Sequence, residues 1–169
     1  MEKVKFKNSK GEVLVGNFHT PKVKTDRAVI VAHGFTSSKD RERTVKLAEA
    51  LCKEGYGVLR FNFGGSEGSY KTDLRLSYQV DDLRSAIDYV KNNGYARIGL
   101  ASESLGSLIS IMAYSKNIVD AMVFHAPVTT RKYYDGSKAK GVSEGGIVLG
   151  KGGRFKKDGI WFKVGKEYF

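Results

Sequence analysis

The residues best suited to chemistry lie between Arg97 and Ile111, in the run Arg-Ile-Gly-Leu-Ala-Ser-Glu-Ser-Leu-Gly-Ser-Leu-Ile-Ser-Ile. A short apolar stretch, Ile98 to Ala101, meets a turn of small residues, and Leu105, Leu108, Ile109 and Met112 leave it at helical spacing. This pattern predicts strand, sharp turn, helix, with Ser104 at the apex. A serine held there projects its hydroxyl out of the bend, while the backbone N–H of Leu105 opens a helix and can donate to an anion. The spacing Ser102-Glu103-Ser104-Leu105-Gly106 is that of a nucleophile elbow, G-x-S-x-G, with serine in place of the first glycine. Small residues flank such a nucleophile because strand and helix approach closely, and serine is the next smallest polar choice. The five-residue pattern also fits an ordinary strand-to-helix turn, so the flanking chain must decide between the two.

That flanking chain supplies a sheet. Val4–Phe6 and Val13–Thr20 surround the Ser9-Lys10-Gly11 turn and predict a β-hairpin, with His19 expected as a surface strand residue. Ala28–Ala32 is a continuous apolar run, the mark of a strand covered on both faces. It ends in His33-Gly34-Phe35-Thr36. Ser37 to Asp40 then offer capping potential to a helix through Val45, Ala48 and Leu51. Tyr56–Phe63 is a second buried-type strand, ending in Gly64-Gly65-Ser66-Glu67-Gly68-Ser69. Val80, Leu83, Ile87 and Val90 recur at helical spacing and stop at Asn93-Gly94. After the Ser104 turn and its helix, Ala121–Val128 forms one more apolar strand. The order ββ, βα, βα, βα, β implies an α/β fold: a mostly parallel sheet with an N-terminal antiparallel hairpin and helices on both faces. In such sheets ligands bind at the carboxyl ends of the strands. His33-Gly34-Phe35, Gly64-Gly65, Ser104 and His125-Ala126-Pro127 all fall on that rim.

Composition bounds the function. The chain of 169 residues is long enough for a real core, and its hydrophobic content of 41% is that of a globular protein. No apolar run reaches the roughly 18 residues needed to cross a bilayer, and Met1 to Lys7 lack a signal peptide's apolar core, so a cytoplasmic location without membrane contact is expected. The single cysteine, Cys52, falls in a predicted helix and reads as packing. The net charge of +11 raises nucleic-acid binding. Residues 1–128, however, carry 19 Lys and Arg against 14 Asp and Glu, whereas residues 129–169 carry 10 against 4 together with 9 of the 20 glycines. Over half the excess therefore sits in the last quarter, and the composition divides the chain into 1–128 and 129–169. The chemistry suggested at Ser104 requires neither a cofactor nor a metal.

Residues 1–128 resemble the N-terminal half of an α/β-hydrolase, in particular the serine carboxylesterases of the cinnamoyl/feruloyl esterase type. His33-Gly34-Phe35-Thr36, Arg60 to Ser69, and Ser102 to Gly106 carry the resemblance. It implies a Ser104 nucleophile, with oxyanion-hole N–H groups on Phe35 and Leu105, acting on small acyl esters. It also implies that 129–169 is a cap inserted after the sixth strand. The sequence departs from the family at Ser102 and at Asn62-Phe63, where relatives often carry Asp followed by a basic or polar residue.

A serine hydroxyl needs a base, and in this fold the triad runs Ser, then Asp or Glu, then His. The only histidine after Ser104 is His125, whose neighbours Val123, Phe124 and Ala126 suggest a packed side chain rather than a catalytic base. His33 falls where the family shapes the oxyanion loop. The family's acid and histidine follow two further strands that these residues do not contain. Three expectations follow: part of a longer chain, a half completed by a partner, or a fold that persists as a non-catalytic binding or interaction module. An unpaired edge on the sixth strand predicts a covering element, from a C-terminal half, a second chain or self-association.

In the tail, Ile147–Leu149 and Arg154–Lys156 predict a hairpin, and Ile160-Trp161-Phe162 offer apolar anchors for a pocket wall. Gly145 to Lys151 matches most of a phosphate-binding loop, G-x-x-x-x-G-K, but Gly152 stands where Ser or Thr is needed and no helix signal follows. Basic residues interleaved with aromatics from Arg154 to Lys163 read as a cationic cap face in preference to nucleic-acid binding. Such a face favours anionic substrates.

Overall fold

The computed structural model of the chain describes residues 1–72 and 74–128, and the backbone of three further strands within 147–163. Two antiparallel strands, β1 (Glu2–Lys7) and β2 (Val13–His19), open the chain around Gly11, whose φ of +81° is the left-handed conformation the turn requires. The parallel strands follow as β3 (Arg27–Ala32), β4 (Gly57–Asn62), β5 (Arg97–Glu103) and β6 (Ala121–His125). They assemble into one six-stranded sheet in the order β1-β2-β4-β3-β5-β6. Only the β1–β2 and β2–β4 pairings are antiparallel. Every residue of β4 is buried, Arg60 and Asn62 included, as its central place in the sheet requires.

Helices cover both faces. α2 (Leu76–Asn92) and α3 (Leu105–Ala113) press Leu83, Ile87, Leu108 and Ile109 onto Ile30, Leu59, Phe61 and Leu100 to form the main core. On the opposite face α1 (Glu42–Lys53) packs Ala48, with Leu51 and Cys52, over Val31 and Val58. Cys52 is thus packing. The predicted cap of α1 is not used. Its N-cap is Arg41, with no side-chain cap bond; Asp40 stands one position before it, with its carboxylate bonded to Arg60 and Lys39.

The outer edge of β6 pairs with no strand among the described residues. One face of β6 is open as well, with Val123 69% exposed. Beyond residue 128, β7 (Ile147–Gly150), β8 (Arg154–Lys157) and β9 (Ile160–Lys163) form an antiparallel three-stranded sheet, so the expected hairpin gains a third strand, with Phe155 opposite Phe162. The expected cap placement, its cationic face, the pocket-wall role of Ile160-Trp161-Phe162 and the phosphate-loop pattern at Gly145–Lys151 fall largely or wholly outside the described residues. Among the described residues no helix is long and apolar enough to cross a membrane.

Candidate functional site

The strand order fixes where a site can form. β3 and β5 are neighbours, and the connection leaving β3 runs to β4 on one side while the connection leaving β5 runs to β6 on the other. Parallel sheets leave a crevice where the direction of winding reverses, at the carboxyl ends of the strands. The loop after β3 and the β5–α3 junction flank that crevice, and Ser104 is the junction.

Ser104 has φ 52° and ψ −119°, a conformation in which an L-residue is strained by about 1–3 kcal/mol. Thr36 (φ 56°) and Ala126 (φ 46°) share this sign of φ, so three rim loops each hold a non-glycine residue in a sparsely populated region. Main-chain bonds over-determine the bend. Ser104 N donates to His125 O at 3.0 Å, and Ser104 O accepts from Ser107 N at 3.0 Å and Val128 N at 3.2 Å. Close packing does the rest. A methyl group on Gly106 would lie 2.5 Å from Ala32 O and 2.8 Å from His33 O, which is why glycine ends the motif. A methyl on Gly34 would lie 3.1 Å from Ser104 Cβ, so the glycine lets the loop after β3 reach the serine. Ser102, which replaces the motif's first glycine, is buried with its Oγ 2.6 Å from Ser110 Oγ on α3, and the two hydroxyls satisfy one another.

Beside Ser104 opens a cleft of about 520 Å³ lined by Gly34, Phe35, Ser37, Glu103, Ser104 and the start of α1. Three of the four predicted site residues meet at this point: Ser104 and Phe35 line the cleft, and Leu105 follows as the first residue of α3. The fourth, His125, points elsewhere. Its carbonyl meets Ser104 N, but its ring Nδ1 lies 3.3 Å from Arg43 Nη1, on the α1 side of the sheet. The expected packing of its side chain is corrected too, for His125 is exposed on the open face of β6.

The rim is held by buried polar groups. His33 Nδ1–H donates to Gly34 O at 2.8 Å, leaving Nε2 to accept from Phe63 N at 3.4 Å. Burial pushes its pKa down to about 4, so the ring is neutral and fixes the loop that carries Phe35. Asn62 Oδ1 accepts from Lys39 N at 2.6 Å while its Nδ2 donates to Glu67 O at 2.7 Å. Asp82 is fully buried on α2 and accepts from Gly64 N at 2.8 Å, Asn8 Nδ2 at 3.0 Å and Tyr70 Oη at 3.1 Å. Burial raises its pKa, and those three donors offset part of the rise. His19, expected on the surface, is buried and accepts from Arg60 Nε at 3.0 Å; burial and the neighbouring guanidinium lower its pKa. Arg60 and Asp82 carry no local sequence signal, since their partners lie from 12 to 74 positions away. Arg41, Arg43 and Lys46, which also line the cleft, were legible only as polar positions of an amphipathic helix. No group of three or more His, Cys, Asp or Glu residues suited to a metal gathers among the described residues.

Comparison with known proteins agrees with this geometry. Residues 23–147 match the serine aminopeptidase S33 family of hydrolases. A 67-residue segment is 34% identical to the quorum-quenching protein AidA of Acinetobacter baumannii, covering 38% of this chain and 22% of that protein. Among solved structures, the Pyrococcus furiosus esterase Pf2001 superposes with a TM-score of 0.66 at 28% identity, covering 75% of this chain and 51% of the esterase. Est1E of Butyrivibrio proteoclasticus, solved with ferulic acid bound, shares the fold with a TM-score of 0.77 at 21% identity, covering 95% of this chain and 67% of Est1E. The chain therefore spans about half the length of the Pyrococcus esterase and under a quarter of AidA. With the family match covering most of the chain, and solved esterases sharing its sheet, this chain belongs to the serine aminopeptidase S33 family of α/β-hydrolases.

Proposed function

We propose that residues 1–128 form the nucleophile-bearing part of a serine ester hydrolase acting on small acyl esters. The observation that carries this reading is the strained Ser104 bend at the sheet's switch point, opening onto a cleft shared with Gly34 and Phe35. Ser104 Oγ attacks the acyl carbon and gives up its proton to a base, while the carbonyl π electrons move onto oxygen. The N–H groups of Phe35 and Leu105 receive that oxyanion. Collapse of the tetrahedral species reforms the carbonyl, breaks the bond to the alcohol oxygen, which takes a proton, and leaves an acyl ester on Ser104. Water then repeats the sequence to release the acid. His125 does not serve as the base, because its ring is turned to Arg43. The base and its acid come from polypeptide other than residues 1–128, and the open edge and face of β6 are the place where that polypeptide docks.

A second reading has one observation in its favour: His125, the cross-strand partner of Glu103 beside the serine, has its ring turned to Arg43. On that reading the fold is a binding module without turnover. A fluorophosphonate probe separates the two. Stoichiometric labelling at Ser104, absent from Ser104→Ala, is the expected result; an unlabelled Ser104 in the folded protein, with and without the polypeptide proposed to dock on β6, would establish the binding module instead.

A further inference from the structure

One wall of the cleft beside Ser104 is the first turns of α1, and its side chains are charged. Arg41, Arg43 and Lys46 line it together with Glu42 and Glu103. Lys46 Nζ lies 2.6 Å from Glu42 Oε1, and Arg43 Nη1 lies 2.8 Å from Glu103 Oε1. No carboxylate pairs with Arg41 among the described residues, so three cations face two carboxylates. Both ion pairs are exposed, with 63% and 33% of the Arg43 and Glu103 side chains open to water and 71% and 81% of those of Lys46 and Glu42. Exposed pairs are held weakly, and their cations can exchange a protein carboxylate for one on a ligand. A cleft of about 520 Å³ has room for an ester group at Ser104 and a second functional group beyond it.

We propose that this cleft selects acyl esters bearing a second, ionised carboxylate, such as monoesters of dicarboxylic acids. The scissile carbonyl sits at Ser104 and the remote carboxylate lies over Arg41 and Lys46. This rests on Ser104 as the nucleophile, and it adds a specificity element that leaves the chemical steps unchanged. Arg41 contributes the uncompensated charge. Lys46, five residues on and also lining the cleft, adds a second cation that such a carboxylate can reach.

The test separates binding from chemistry. In the full chain carrying Ser104→Ala, affinities for 3-phenylpropanoate and 3-phenylpropanamide are read from the backbone amide shifts of Gly34 and Phe35. The carboxylate should bind about three- to five-fold more tightly at low salt, as expected for one or two exposed cations. That preference should disappear in the Arg41→Gln/Lys46→Gln variant, whose exposed replacements leave the fold intact, and it should shrink at high salt. Equal affinities for the two ligands, or a preference that survives the double substitution, overturn the proposal. Labelling of wild-type Ser104 by a neutral fluorophosphonate is read in parallel. Labelling without carboxylate preference refutes the selectivity alone; carboxylate preference without labelling refutes the nucleophile and leaves a carboxylate-binding cleft.

Discussion

Replacing Ser104 by glycine should stabilise this protein while abolishing its proposed chemistry. At φ 52° and ψ −119° the serine Cβ crowds the neighbouring peptide, a strain of about 1–3 kcal/mol that a glycine does not feel. Glycine costs about 0.5–1 kcal/mol in added freedom of the unfolded chain. The difference leaves Ser104→Gly more stable by up to about 2.5 kcal/mol, or up to about 10 °C in midpoint for a chain of this length. Ser104→Ala is the control, because it loses the hydroxyl but keeps the Cβ and the strain; its stability should stay within about 0.5 kcal/mol of the wild type. Thermal and urea unfolding of the three proteins, followed by circular dichroism, measure both differences. If the glycine variant is no more stable than the alanine variant, the bend is relaxed in solution and the claim that the fold stores strain at Ser104 is wrong.

Three further outcomes follow from the same geometry. Gly106→Ala would ordinarily stabilise a helix by about 1 kcal/mol, yet here the added methyl meets the Ala32 and His33 carbonyls, so a net loss of about 1–3 kcal/mol in urea unfolding is expected, and a gain would show that strand and helix are not in close approach. Burial lowers the folded pKa of His33 to about 4 from 6.5, so the unfolded state takes up the proton first; the stability it contributes is complete above about pH 6.5 and falls as pH drops towards 4, by about 3 kcal/mol in all. His33→Gln should flatten that slope between pH 7 and 4.5, and an unchanged slope would locate the titration elsewhere. His125→Ala should leave fluorophosphonate labelling of Ser104 within about two-fold of wild type, since only the His125 carbonyl touches Ser104; a loss of several orders of magnitude is what removing a general base would produce.

Much of this architecture is legible in the sequence because it is dictated locally. The apolar run Ala28–Ala32 and the segment Gly57–Phe63, apolar apart from Arg60 and Asn62, read as covered strands, and Asn93-Gly94 stops α2 where Gly94 takes a φ of 90°. The Ser104 bend is legible for the same reason, since Gly106 and the helical spacing after it lie within ten residues. Long-range pairing is where local reading fails. His19 ends its strand and reads as exposed, but Arg60 arrives from a strand 41 positions later and pairs with it in the interior. Asp82 looks like one of three solvated aspartates on α2, whereas Asn8 from the β1–β2 turn and Gly64 and Tyr70 from the β4–α2 loop enclose it. The apolar neighbours of His125 suggest packing, yet β6 ends the sheet and turns that face to solvent. Element order follows from short-range pattern; the partners of buried charges do not.

Asn62 joins two loops with one side chain. Its oxygen holds the main chain at Lys39 and its nitrogen holds the main chain at Glu67, so the segment carrying Phe35 and the glycine-rich segment after β4 share a yoke. Anything that settles one of them against a visiting molecule restrains its counterpart, and the restraint is equal in the reverse direction. An aspartate at this position keeps the first attachment and forfeits the second, since it has no hydrogen to offer Glu67. In an Asn62→Asp variant the two banks would shift independently where here they travel together.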